Sequence, residues 1–335
     1  MKVSAQVCLL EALRCGCTTL LDHHASPRAI PGSLFALAEA VEESGLSACL
    51  CYEVSDRDGP QAAREGIREN VAFLEHAGKG GNPRIAGTFG LHASLTLSDE
   101  TLDACSSACD YRGFHVHVAE GPTDETECRR LHGLSILERF RRFGLLGPKS
   151  LAVHCIHVDR EEVGILKDTR TAVVHNPESN MGNAVGAARV LDLMEAGVLV
   201  GLGTDGYVSD MLRSYVLGNA LVKHASGHPN RGWAEVPKML FQNNGEIADR
   251  YFPLRRGVLA PGWAADLAVL DYAPPTPLSE RNVDGHLLFG PLSGRVVHTV
   301  AGGHVLYRDR AFTVLDEGRI LARARECASR VWSRF

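Results

Sequence analysis

The chain has 335 residues, 45% hydrophobic and 22% charged, and 35 Lys and Arg against 40 Asp and Glu leave a net charge of −5. That length can bury one large core with a small appendage, and an acidic balance without a Lys/Arg run excludes nucleic acid as the expected partner. No run approaches the roughly 18 apolar residues of a membrane span, and Glu11 and Arg14 interrupt the first apolar stretch, so a secretory signal is not expected. The ten cysteines are scattered, and the pairs Cys15/Cys17 and Cys49/Cys51 lack the CxxC spacing of zinc ribbons. They read as reduced, buried thiols (Cys8, Cys49, Cys51 and Cys155 lie in apolar runs), and the expected location is the cytoplasm. Arg139, Arg141 and Arg142 read as a solvated helix end.

Residues 3–15 show the apolar spacing of an amphipathic helix. Thr18–Asp22 is a short strand running into His23 and His24, which cannot both face one site because neighbours on a strand point opposite ways. A helix follows Pro31 and Gly32 and stops at Gly45. Strand 46–54, helix 60–77 and strand 85–93, with His92 at its end, come next, and Ser98 is placed to cap the following helix. Beyond strand 113–119 the expectation is a polar loop, helix 132–143, strand 151–155, helix 159–168, strand 171–175, helix 186–196, strand 198–204, a helix from Asp210 and an α-rich segment over 232–250. This alternation argues for a parallel sheet closed toward a barrel. The composition shifts at Pro253 to short β runs (267–270, 296–300, 305–307) between prolines and glycines, and a helix near 317–333 carries four arginines. The expected division is a barrel over 1–252, a small β unit over 253–312 and a terminal helix over 313–335.

The stretch that organises the chain is Gly113-Phe-His-Val-His-Val-Ala-Glu120. Val116 and Val118 alternate with His115 and His117, the period-2 pattern of a strand. The run ends so that His117 lies near its carboxyl end and Glu120 opens the loop. Three more short apolar runs end in a polar side chain: His154, His175 and Asp205. The intervals from His117 onward are 37, 21 and 30 residues, close to the roughly 30 residues of a strand-helix unit. Four successive strands therefore deliver metal-binding or proton-transferring groups to one rim, the arrangement a barrel enzyme uses for metal chemistry. A divalent ion there lowers the pKa of bound water to about 7. Neutral imidazoles with a carboxylate suit one divalent ion, zinc before iron(II) or manganese.

These motifs resemble the amidohydrolase superfamily, in its cytosine deaminase, guanine deaminase and chlorohydrolase-like branch. His117-Val-Ala-Glu120 is similar to that branch's fifth-strand HxxE, and His154-Cys155 to its sixth-strand histidine. His175-Asn-Pro-Glu-Ser-Asn180 is similar to HNPxSN, Gly203-Thr-Asp205-Gly206 to the eighth-strand GTD, and Gly257–Asp266 to the return into a β-sandwich. The wording of Gly90–Ser94, Asn176–Gly186 and Gly206–Asp210 is nearest the aminohydrolase group called SsnA. The resemblance implies a (β/α)8 barrel with part of a composite β-sandwich. It implies that His117 and Asp205 are metal ligands, that Asp205 accepts the water's proton, that Glu120 shuttles protons, that His154 orients water and substrate, and that His92 and His175 line the pocket. The implied activity is metal-dependent hydrolysis of a non-peptide C–N bond in a small molecule, deaminase-type. The superfamily's first-strand HxH has no counterpart here, so the expected barrel lacks strand 1, with open edges at the strands ending near Asp22 and Asp205. A cyclic-amide hydrolase is the alternative, disfavoured because strand 85–93 has no lysine to bridge two metals. A truncated, catalytically impaired paralogue is another, and a homodimer is left open.

Overall fold

The computed structural model describes residues 1–109, 112–290 and 296–334. Eight short parallel strands occupy seven positions of a barrel wall. They are β1 (Thr19–Leu21), β2 (Ser47–Leu50), β3 (Ile85–Gly87), β4 (Phe89–Ala93), β5 (Phe114–Val118), β6 (Leu151–His154), β7 (Ala172–His175) and β8 (Val200–Leu202). β1, β2 and β3 pair in that order, and β4 to β8 pair in sequence. β3 and β4 are one strand interrupted at Thr88, whose hydroxyl donates to Gly113 O at 2.8 Å. A parallel bridge from Val54 to Leu91 joins the two sheets into one arc. The hydrophobic core runs beneath it, from Val54 and Leu91 through Val116, Val118 and Ala152 to Val173, Val200 and Leu202. This is a partial (β/α)8 barrel, as expected from the strand count.

Among the described residues no strand pairs β8 with β1. The edge of β8 is nevertheless covered. A π-helical turn over Met239–Asn243 brings two asparagines against it. Asn244 accepts from Leu202 N and donates to Leu202 O, both at 2.9 Å, and Asn243 Nδ2 donates to Val200 O at 2.7 Å. These amides satisfy edge groups that a neighbouring strand would otherwise pair. Below them Ile247 and Tyr251 pack with Leu21, Leu151 and Ala172, filling the space between the two ends of the arc.

Beyond the arc, β9 (Leu267–Leu270), β10 (Val296–Ala301), β11 (His304–Arg308) and β12 (Ala311–Phe312) form an antiparallel sheet in the order β12-β11-β10-β9. It leans on the first helix, Lys2–Arg14. Thr299 Oγ1 donates to Leu13 O at 2.7 Å, and a Cβ on Gly16 would come within 2.8 Å of the Ala268 side chain.

Four sequence expectations are corrected. The polar stretch after Glu120 is a helix, Pro122–His132. It ends where Gly133 turns left-handed (φ 66°), and a second helix, Ile136–Arg142, restarts from a Ser135/Glu138 capping box. The expected helix 186–196 is shorter, Val190–Glu195, and a short helix that was not expected, Pro177–Gly182, precedes it. Cys8 is exposed, unlike buried Cys49, Cys51 and Cys155. Arg139 is buried to 1% exposure while Arg141 and Arg142 are exposed. Its guanidinium reaches Asp99 Oδ1, Ser94 O, Ser94 Oγ and Leu97 O at 2.7–3.0 Å and ties the loop after β4 to the helix after β5.

Candidate active site

Three of the polar side chains expected at the rim come together around one atom of a fourth. His154 Nε2 lies 3.3 Å from His117 Nδ1, 3.7 Å from Glu120 Oε2 and 3.6 Å from Asp205 Oδ2. The other nitrogen, Nδ1, is 2.9 Å from Asn180 Oδ1. A carbonyl oxygen only accepts, so Nδ1 carries a proton and the other ring nitrogen, Nε2, faces the other three groups. His154 itself is fully buried, whereas Glu120 and Asp205 are about one-third exposed or less. Ser179 Oγ donates to Asp205 Oδ2 at 2.5 Å and Gly206 N to Oδ1 at 2.7 Å, which fixes that carboxylate. Asn183 Nδ2 donates to Glu120 Oε1 at 3.1 Å.

The backbone is bent to achieve this. Ala119 (φ 47°), His154 (φ 72°), Cys155 (φ 50°) and Asp205 (φ 54°) are all left-handed without being glycine. Such residues cost of order 1–3 kcal/mol each and persist where the surroundings over-determine them. Buried Asp124, in the helix that sequence reading treated as loop, supplies part of that hold. Its two oxygens accept from Ala119 N and Leu95 N, each at 3.1 Å, and burial pushes its carboxyl up to about 6. Ile156 N and His157 N donate to Ala119 O from the β6 side.

Burial also decides the charge of the imidazoles. It pushes His23, His92 and His175 down to about 4, and His115 and His117 well below the usual range. At neutral pH these rings are uncharged, the form that binds a metal. His92 Nδ1 lies 2.7 Å from Thr96 Oγ1, whose hydroxyl donates onward to Ala93 O. His92 Nδ1 is therefore the donor, its Nε2 keeps a lone pair, and the ring centre is 5.7 Å from that of His117. His175 is 1% exposed, and neither ring nitrogen has a partner.

Two residues outside the expected ligand set stand beside this cluster: His23, considered only as a substitute ligand alongside His24 and His115, and Glu53, which sequence reading missed. His23 has its ring 4.7 Å from both His115 and His117, and Glu53 lies against it. His24 points the other way, to Ser26, as the alternation of a strand requires. The signal for His23 was available, because Asp22-His23 ends a strand as His154 and His175 do.

The donor set fits a divalent ion. Two ligands held at about 2.0–2.2 Å from a tetrahedral ion lie about 3.4 Å apart, and the separations around His154 Nε2 are 3.3–3.7 Å. Glu120, His154 and Asp205 offer three ligand atoms within 4.8 Å of one another.

A parallel β/α arc that brings imidazoles and carboxylates to its carboxyl rim defines a metal-dependent hydrolase of the barrel type. The model of the amidohydrolase family matches residues 1–306, and the chain belongs to that family. It is similar to a 5-methylthioadenosine/S-adenosylhomocysteine deaminase of Pelotomaculum thermopropionicum, 32% identical over 98% of this chain and 75% of the relative. It is also similar to a 5′-deoxyadenosine deaminase of Methanothermobacter thermautotrophicus, 29% identical over 88% of this chain and 69% of the relative. In fold it resembles a zinc-bound adenosine deaminase of Xanthomonas campestris, with a TM-score of 0.85 at 20% identity, over 99% of this chain and 75% of that one. The chain is an enzyme of the metal-dependent aminohydrolase type, hydrolysing C–N bonds other than peptide bonds.

Proposed function

We propose that the cluster around His154 is the centre of a hydrolytic deaminase that removes the ring amine of an adenosine-type nucleoside modified at its 5′ position. The observation that carries the reading is the approach of His117, Glu120 and Asp205 to one nitrogen of His154. The substrate class rests on the names of the two deaminase relatives.

In this reading His117 and Asp205 hold one divalent ion, with zinc the first choice because the Xanthomonas campestris structure binds it. A bound divalent ion supplies Lewis acidity and acidifies water. Asp205, oriented by Ser179 and Gly206, takes the proton that the attacking water gives up. His154, locked by Asn180, orients that water with Nε2. Glu120 is the less tethered carboxylate at the rim, with Asn183 as its donor where Asp205 has Ser179 and Gly206. Glu120 passes on the two protons of the water. The first, handed over from Asp205, goes to the ring nitrogen beside the reacting carbon. The second, released as the new C–OH becomes C=O, goes to the departing amine, so that water and substrate leave as the oxo-purine and ammonia. His92 and His175 line the pocket, and the partnerless nitrogens of His175 offer donor and acceptor to the base. No helix of the described residues is long and apolar enough to cross a membrane, and a cytoplasmic location is part of this proposal.

The test is ammonia release from 5′-deoxyadenosine, methylthioadenosine, S-adenosylhomocysteine, adenosine, guanine and cytosine, with the zinc-supplied chain. The expected result is the highest kcat/KM on a 5′-modified adenosine. Release from guanine or cytosine alone would contradict the substrate class, and release from none would contradict the deaminase reading of this chain.

A further inference from the structure

A second group of ligand atoms stands next to the one described. His23, Glu53 and His117 each offer one, and all lie within 4.8 Å of one another. His23 Nε2 is 3.0 Å from the carbonyl oxygen of Leu91. A carbonyl accepts, so Nε2 carries the proton of the neutral ring and Nδ1 carries the lone pair. That lone pair faces Glu53 Oε2 at 3.5 Å. Both side chains are only 11% exposed. Glu53 is held in place from its other oxygen, Oε1, by the Arg57 guanidinium. The His117 ring is edge-on to that of His23, with centres 4.7 Å apart.

We propose that His23 Nδ1, Glu53 Oε2 and His117 form a divalent-cation site distinct from the Glu120–His154–Asp205 cluster. The 3.5 Å edge between the first two is close to the about 3.4 Å expected of neighbouring ligands on a tetrahedral ion. Two imidazoles and one carboxylate suit zinc, cobalt(II) or iron(II). The backbone carbonyl of Leu91 fixes the tautomer and ring direction of His23, and Arg57 fixes the carboxylate, the kind of outer support that ligating side chains receive. The site shares His117 with the proposed catalytic centre and is independent of the substrate assigned there.

The test is titration of the purified, metal-stripped chain with cobalt(II), followed by visible absorption and bound stoichiometry. A cobalt equivalent is expected that Glu53→Gln and His23→Asn each weaken at least about tenfold and that Asp205→Asn retains. Cobalt affinity and spectrum unchanged in both Glu53→Gln and His23→Asn would overturn the site. So would loss of all bound cobalt in Asp205→Asn. Neither result bears on the deaminase reading, which is decided by ammonia release. In the unsubstituted chain, where misfolding is not at issue, zinc should move the 15N resonance of His23 Nδ1 out of its lone-pair position, and an unmoved resonance would also overturn the site.

Discussion

Arg139 and His175 are both 1% exposed, yet they are treated in opposite ways by the fold. The guanidinium of Arg139 is surrounded by oxygens that take up its protons, from Asp99, Ser94 and Leu97. The imidazole of His175, at the carboxyl end of β7, has no partner on either nitrogen, and beside it Asn176 Oδ1 and Asn180 Nδ2 are also unpaired. Buried polar groups without partners cost about 1–3 kcal/mol each. In the proposed reading, the unpaired amide and imidazole atoms at the rim serve the substrate, while the buried charge in the outer shell is satisfied by the fold itself. On that reading the comparison separates side chains that hold the barrel together from side chains proposed to meet a ligand.

The largest effect that would break this comparison is on the structural side. Arg139→Met should cost about 3 kcal/mol in chemical denaturation, because it strands the carbonyls of Ser94 and Leu97, while activity per folded molecule stays near the parent value. Asn244→Ala should cost about 2 kcal/mol by exposing Leu202 N and O at the edge of β8, measured the same way. His175→Phe should behave in the opposite sense: stability unchanged or slightly higher, and kcat/KM lower by about tenfold or more, which is about 1.4 kcal/mol of transition-state binding. A loss of stability in His175→Phe like that of Arg139→Met would erase the distinction.

The smallest effect concerns pH. Burial pushes the Glu162 carboxyl up from 4.5 to about 7, although Leu137 N and Asp159 N donate to it. A folded-state pKa above the unfolded one means that the folded chain binds the extra proton. This contribution to stability is therefore full below about pH 4.5 and is lost as pH rises toward 7. Glu162→Gln should flatten the dependence of Tm on pH across that window, whatever it does to Tm itself. An unchanged slope would show that the carboxyl titrates as in the unfolded chain.

The rim was legible because strand residues alternate and because His117, His154, His175 and Asp205 recur at the interval of a strand-helix unit. All four lie within three residues of the carboxyl ends of β5 to β8. Alternation also separated His23 from His24, but it does not say which of two neighbours faces inward, so both stayed open as substitute ligands and neither was placed at the site. Glu53 lies past the end of β2 in a stretch whose backbone bonds go to His24 and Gly90, contacts far away in sequence. The helix Pro122–His132 was read as loop because Asp124 and Cys128 are its only buried residues, too few to show an apolar period. Arg139 was read as solvated because a buried arginine is identified by its partners, and these sit about 40 residues earlier in Ser94, Leu97 and Asp99. The cover over β8 was invisible for the same reason, since side-chain amides imitating a strand leave no periodic pattern.

The most direct measurement is a paired one on Glu120→Gln: bound metal by elemental analysis and ammonia release from the best 5′-modified adenosine, beside the parent chain and His117→Ala. The account predicts that Glu120→Gln keeps its metal while turnover falls by about 10²-fold or more, and that His117→Ala loses both. Parent-level turnover in Glu120→Gln, or undiminished metal in His117→Ala, would contradict it.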